Sequence, residues 1–255
     1  MVHKMIHSEA ILSGLRIVDM SRGRSGQLAA MLLAEVGASV ILVEPEGGDP
    51  ERGGAAFAVH NRSKYSLALD NPEDIDALLA KADVLIHDRS DVLLSDAALR
   101  ARHPHLISSH IGGWPNGHRN ADTPVDDALV LAEAGICDEQ RAVDRDGPVY
   151  LRFPLGEGGA AYLAAIAVLS RLVAGKSGAA NTSILQGALT SVIMLWSRAE
   201  RPTKSLVGGY NKAINAYQFE CADGLWIHLM SNPDDCPTMR AGLDEIGRAS
   251  CRERV

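Results

Sequence analysis

Residues 15–20 (LRIVDM) and 39–43 (SVILV) are short apolar runs rich in β-branched side chains, and residues 27–36 (QLAAMLLAEV) between them carry apolar positions at helical spacing. Strands that are apolar throughout are covered on both faces. Two such strands with one helix between them join as parallel neighbours through a helical crossover. Gly37 closes the helix, and the loops on either side are short. A β-α-β unit of this kind opens a parallel sheet, and it excludes an all-helical or a purely antiparallel chain.

The pattern continues. Residues 66–69 read as a weaker strand, Asn71-Pro72 opens a helix that runs to Leu79, and residues 83–86 and 106–111 read as strands with a helix over 96–102 between them. Around 112–124 a Gly-Gly-Trp-Pro-Asn-Gly turn cluster marks a change of character. Two strongly helical segments follow, 159–174 and 183–199, joined by the Gly-rich link 175–181. Residues 215–221 and 225–230 alternate about Ala222-Asp223-Gly224, a hairpin signal. The expected fold class is α/β: a Rossmann-like open parallel sheet with flanking helices, plus the start of a second, smaller α+β domain.

Asp and Glu outnumber Lys and Arg by 32 to 25. A net charge of −7 argues against a nucleic-acid partner, which needs basic surface to neutralise phosphates. No apolar run reaches the roughly 20 residues of a membrane span, and the N-terminus lacks a signal-peptide pattern. The four cysteines, Cys137, Cys221, Cys236 and Cys251, form no CxxC pair, so the expected location is cytoplasmic. Of the nine histidines only His3 and His7 fall at HxxxH spacing, no HExxH occurs, and no metal site is expected. Residues 245–255 (EIGRASCRERV) break the preceding pattern. They reverse-translate to a string matching a short-read library adapter, whose next codon in frame is a stop. The expectation is a non-native tail on a C-terminally truncated chain, inactive by itself.

Three places invite chemistry. The loop Ser21-Arg22-Gly23-Arg24-Ser25-Gly26 lacks GxGxxG, so a nicotinamide site is disfavoured although Glu44 ends the next strand. Its two arginines beside a helix N-terminus suit an anionic ligand, or are simply solvated. Asn61-Arg62-Ser63-Lys64 is a basic patch that fits a phosphate contact or an ordinary solvated surface. Glu157, in Leu155-Gly156-Glu157-Gly158-Gly159, precedes a long apolar helix. There the macrodipole favours the ionised carboxylate that a nucleophile requires, and acids also occur at such positions merely as caps. Glycine on both sides leaves room for a large substrate and offers N–H groups to a developing oxyanion.

In order, the segments 12–22, Gly26, 31–38, Val43-Glu44-Pro45, Gly47-Gly48-Asp49-Pro50 with Arg52, 61–70 (NRSKYSLALD) and Gly175-Lys176-Ser177-Gly178 resemble the family III CoA-transferases. That family includes formyl-CoA transferase, carnitine CoA-transferases and 2-methylacyl-CoA racemase. The resemblance implies a CoA-binding Rossmann-like large domain over 1–200, a linker and the start of a small domain over 201–244, and an interlocked homodimer. It implies transfer of CoA from an acyl-CoA to a carboxylic acid through a carboxylate-bound anhydride and thioester, with no permanently bound cofactor and with CoA or acyl-CoA as substrate. Glu157 stands at the nucleophile position, where Leu-Gly-Glu replaces the usual Leu-Gly-Asp. Arg24, Ser25, Gly26, Asn61, Arg62, Lys64 and Arg89 are the expected CoA contacts. The family's Glu-Asn-Phe-x-Pro-Gly segment stands here as His87-Asp88-Arg89-Ser90-Asp91, one residue short. Val125-Asp126-Asp127 replaces the racemase branch's Gly-His-Asp, so stereoinversion is not expected. A second reading, of a non-catalytic CoA-binding paralogue or half of a two-part enzyme, stays open.

Overall fold

The computed structural model describes residues 10–88, 94–121, 123–139, 147–192, 216–220 and 224–230. It divides into two compact units, residues 1–192 and 193–255. Unit 1 is an α/β sheet. Its strands are β1 (Arg16–Asp19), β2 (Ser39–Glu44), β3 (Tyr65–Ala68), β4 (Val84–His87), β5 (Ile107–Gly112), β6 (Gly178–Ala179) and β7 (Thr182–Ser183). All pair in parallel in the order β3-β2-β1-β4-β5-β6, with β7 also on β5. The chain order reverses between β1 and β4. Open α/β sheets bind ligands beyond the strand C-termini at such a point.

Helices α1 (Arg24–Glu35), α2 (Ala55–His60), α3 (Pro72–Leu79), α4 (Asp96–Arg102), α5 (Asp127–Glu133), α6 (Ile136–Glu139), α7 (Leu155–Val173) and α8 (Ile184–Thr190) connect the strands. On one side of the sheet Val18, Met20, Val43, Leu85 and Leu106 pack with Leu79 of α3 and Leu99 of α4. By the period-2 alternation of strands, Ile17, Asp19, Leu42, Val84 and Ile86 point to the other side. There α1 packs on β1, β2 and β4 and against α7, and α7 packs in turn on α5, α8 and β5. By length and composition α7 could cross a membrane, against the expectation that no run approaches that length.

Several boundaries differ from the sequence reading. Helix α1 begins at Arg24, so Arg24, Ser25 and Gly26 lie in its first turn and not in a loop. Gly23 is an extended N-cap without a side-chain cap. Helix α7 begins at Leu155, which puts Glu157 inside its first turn. The unanticipated α5 carries signals that were present: Asp126 caps it by accepting from the Ala128 N–H at 2.8 Å, and Gly135 follows in the left-handed region at φ +78°. The Gly-rich link holds the short strand β6, and β7 follows directly after it. The helix expected over 183–199 runs to Thr190, and residues 193–199 lie outside the described ones. Unit 2 contributes the expected hairpin, β8 (Ala216–Glu220) antiparallel to β9 (Trp226–Met230), with Ala216 opposite Met230. The segment read as a non-native tail and Arg89 lie outside the described residues.

Candidate active site

Glu157 stands in the first turn of α7 and faces the first turn of α1, where its carboxylate is paired with the Arg24 guanidinium. The glutamate side chain is 20% exposed and the arginine 43%. Burial pushes the Glu157 carboxyl above the usual carboxylate range. Arg24 opposes that shift, and Asp127 and Asp126 add to it. Desolvation outweighs the favourable charge of Arg24.

Close helix packing places Glu157. A Cβ on Gly156 would lie 2.8 Å from Asp127 Oδ1 and 3.0 Å from Ile184 Cγ2. A Cβ on Gly159 would fall on the Gly187 backbone, and one on Gly187 on the backbone of Gly156 and Ala160. The crossing of α7 and α8 is thus a contact of backbones, made where neither helix has a side chain. Asp127 Oδ1 accepts the Glu157 N–H at 2.7 Å, and the carboxylate also takes the Gly156 N–H. Burial raises the Asp127 carboxyl too. The Gly158 N–H donates to Pro154 O at 3.0 Å. Two expectations change as a result. The N–H groups of Gly156 and Gly158 are already used and offer nothing to an oxyanion. Only Gly158, with nothing within 4 Å of a Cβ, leaves open space.

The anion-binding reading of the first loop is also altered. The Arg22 and Gly23 N–H groups donate to the carboxylate of Asp88 from the end of β4, at 2.8 Å from Arg22. The chain's own anion therefore fills the loop. Ser25 is buried, and its Oγ has no hydrogen-bond partner among the described residues. Gly26 is buried because a Cβ there would strike Ser21. Asn61 and Lys64 are inner ties: Lys64 Nζ donates to Asp19 Oδ2 (2.8 Å), Gln27 O (2.7 Å) and Asn61 Oδ1 (2.8 Å). The Lys64 side chain is 1% exposed, so all three ammonium donors are used inside the fold. Burial pushes its pKa down, and Asp19 partly restores it. Arg62 is exposed and contacts Glu35 Oε1 at 2.5 Å.

The structure nonetheless gathers cations around one residue. His60, at the end of α2, is pushed down first by burial and then by the charges of Arg24, Lys64 and Arg62. It stands one residue before the basic patch seen in sequence. Its place among the cations was not legible, because α2 and α1 meet only in the fold. Glu44, the candidate ribose acid, is engaged internally. Burial raises it, but hydrogen bonds from Arg52, Ser66 and the Asp49 N–H outweigh that and hold it below the usual range. A hollow of about 150 Å³ lies at the C-terminal ends of β1, β2 and β3, lined by Met20, Arg22, Val43, Leu69, Asp70 and Ile75 among others. Among the described residues, no group of three or more His, Cys, Asp or Glu could hold a metal ion.

A family model described as CoA-transferase family III matches residues 12–254, a span that includes most of the suspected tail. The CoA-transferase/lyase DddD of Marinomonas sp. is 30% identical over 171 residues, covering 62% of this chain and 20% of that protein. The succinate–glutarate CoA-transferase of Agrobacterium fabrum is 33% identical over 151 residues, covering 49% of this chain and 38% of that one. The crystal structure of the hypothetical protein Rv3272 from Mycobacterium tuberculosis superposes with a TM-score of 0.69 at 25% identity, covering 76% of this chain and 60% of that one. The chain spans less than half the length of these curated relatives.

Proposed function

We infer from one fact, that this chain belongs to CoA-transferase family III, that it carries the nucleophile of an enzyme moving CoA from an acyl-CoA to a carboxylic acid. The observation behind this reading is the Glu157 carboxylate, part-buried and paired with Arg24 beyond the C-terminal end of β1. Ionised Glu157 attacks the thioester carbonyl, forming an acyl–glutamyl anhydride and releasing CoA thiolate. The thiolate attacks the glutamyl carbonyl, which gives a glutamyl-CoA thioester and frees the donor carboxylate. The acceptor carboxylate then attacks that thioester, making a new anhydride and releasing the thiolate. The thiolate finally takes the acceptor acyl group and restores Glu157.

The surroundings fit these steps. A carboxyl raised by burial is more basic, hence a better nucleophile once ionised. Arg24 balances its charge at rest and, when Glu157 is acylated, is free to hold the departing or arriving carboxylate. Asp127 fixes the backbone of the α7 first turn, so the nucleophile is held by two N–H contacts. Arg24 and Arg62, both close to His60, suit the phosphates of CoA, and the hollow beside Arg22, part polar and part aliphatic, suits its adenine end. Tyr162, Ile166 and Val173 form an exposed apolar stripe on α7, which supports covering by a second copy in a homodimer.

The test is covalent trapping. Given an acyl-CoA and no acceptor, the protein should accumulate CoA on Glu157, located by peptide mass spectrometry. The assay uses this chain and, beside it, the full reading frame that encodes it. Glu157→Gln should remove the adduct. If Glu157→Gln leaves turnover intact, Glu157 is not the nucleophile, and the non-catalytic or half-enzyme reading replaces this one.

A further inference from the structure

A cavity of about 420 Å³ lies between α4, the start of β5 and the edge strand β6, lined by Arg100, His103, Leu106, Ser108, Arg171 and Gly178 among others. It is at the opposite end of the sheet from Glu157, and nothing in the transfer reaction uses it. Ser108 pairs with Leu85 in the β4–β5 register, and Leu85 packs with Leu99 and Leu106 on the α4 side. The Ser108 side chain therefore projects to the side where the cavity lies. It is 3% exposed, and its Oγ has no hydrogen-bond partner among the described residues. Buried hydroxyls are normally hydrogen-bonded, so this one is available to an incoming acceptor.

Two guanidiniums flank the same space. Arg100 forms no ion pair or hydrogen bond among the described residues. Its Nη2 lies 4.0 Å from where a Cβ would stand on Gly178. Arg171 Nη2 donates to Ala179 O at 2.6 Å and has no carboxylate partner among the described residues. One carboxylate opposes the two guanidiniums. Asp96 also lines the cavity, and its Oδ2 already accepts from Asn181 at 2.8 Å. His103 Nε2 is engaged by Asp76 at 2.9 Å. Leu99, Pro104 and Leu106 supply an apolar wall. A volume in the range of small-molecule sites, an apolar wall and a few convergent polar groups are the marks of a ligand pocket.

We propose that this cavity binds a small organic anion, its carboxylate or phosphate held between Arg100 and Arg171 and hydrogen-bonded by Ser108, its carbon skeleton against Leu99 and Leu106. The site is separate from the nucleophile and does not rest on the transfer reaction.

The experiment titrates the ¹⁵N-labelled chain with succinate and, separately, with inorganic phosphate, following amide shifts. Saturable shifts centred on Ser108 and Gly178 are expected with at least one probe, and which probe gives them distinguishes a carboxylate from a phosphate ligand. Arg100→Gln, at an exposed side chain with no bonding partner among the described residues, should weaken binding at least tenfold without affecting folding. Ser108→Ala should weaken it several-fold, and Glu157→Gln should leave it unchanged. The proposal is overturned if neither probe gives saturable shifts, if Arg100→Gln binds as the native chain does, or if the shifts centre on Arg24 and Glu157.

Discussion

The two sides of the sheet are packed by different rules. Towards α3 and α4 the core is built of large aliphatic side chains, among them Val18, Met20, Leu79, Leu85, Leu99 and Leu106. Around α7 small buried residues stand among the larger ones such as Met31, Leu131 and Val168: Ala160, Ala161, Ala164 and Ala165 on α7, Ala29 and Ala30 on α1, and Ala188 on α8. There Gly156, Gly159 and Gly187 bring backbones into contact. An aliphatic layer can change rotamers to absorb a substitution, whereas two backbones in contact cannot yield. The pair that would do the chemistry, Arg24 and Glu157, stands on the rigid side, where a first turn is fixed by its neighbours' main chains.

The largest effect should come from the charge that the rigid layer holds. Glu157→Gln should lower transfer by at least about a thousandfold, roughly 4 kcal/mol of barrier. It should also stabilise the fold in a pH-dependent way. The folded-state pKa of Glu157 is raised, so its contribution to stability is present below the unfolded value near 4.5 and is lost as pH rises through the folded pKa. Thermal midpoints of the native and Glu157→Gln chains should therefore coincide near pH 4 and separate above it, with the variant the more stable at neutral pH. Native transfer should fall as the pH drops through the same raised pKa. Equal midpoints at every pH would mean that the carboxylate is not desolvated as the structure has it.

Breaking the backbone contact comes next. Gly187→Ala puts a methyl group onto the backbone of Gly156 and Ala160, and should cost about 3 kcal/mol in urea unfolding. Adduct formation at Glu157 should be lost with it. A cost below about 0.5 kcal/mol would show that the helices can part freely. On the aliphatic side Leu79→Met is the matching probe, and it should cost less than about 1.5 kcal/mol despite complete burial. The smallest expected change has the opposite sign. Gly158→Ala meets no atom within 4 Å and should stabilise α7 by up to about 1 kcal/mol. If the open space at Gly158 admits the thioester, the same variant should raise KM for acyl-CoA.

Much of the sheet was legible because its strands are apolar throughout and its helices carry ordinary signals. Asn71-Pro72 caps α3 through the Glu73 N–H as its sequence implies. The site was legible only as a set of residue types. Asn61 and Lys64 read as a phosphate contact or a solvated surface, and by resemblance as CoA contacts, because a polar, basic tetrapeptide points outward in all three cases. In the fold Lys64 turns inward, since Asp19, Gln27 O and Asn61 together satisfy its three donors. Asp88 read as a departure from a motif, and it is the anion that fills the first loop.

What the sequence determined by itself is local: which segments alternate or run apolar, where Gly and Asn-Pro end or start them, and hence an α/β unit with Glu157 at a helix start. Hydrophobic period and capping act within a few residues, so they can be read along the chain. Tertiary structure decided which glycines make room for substrate and which for another helix. It also decided which cations face solvent, and whether the Glu157 carboxyl is held low by a helix dipole or raised by burial. Those outcomes depend on desolvation and on contacts between residues far apart in the chain, such as Arg24 with Glu157 and Gly159 with Gly187, and no local pattern encodes them.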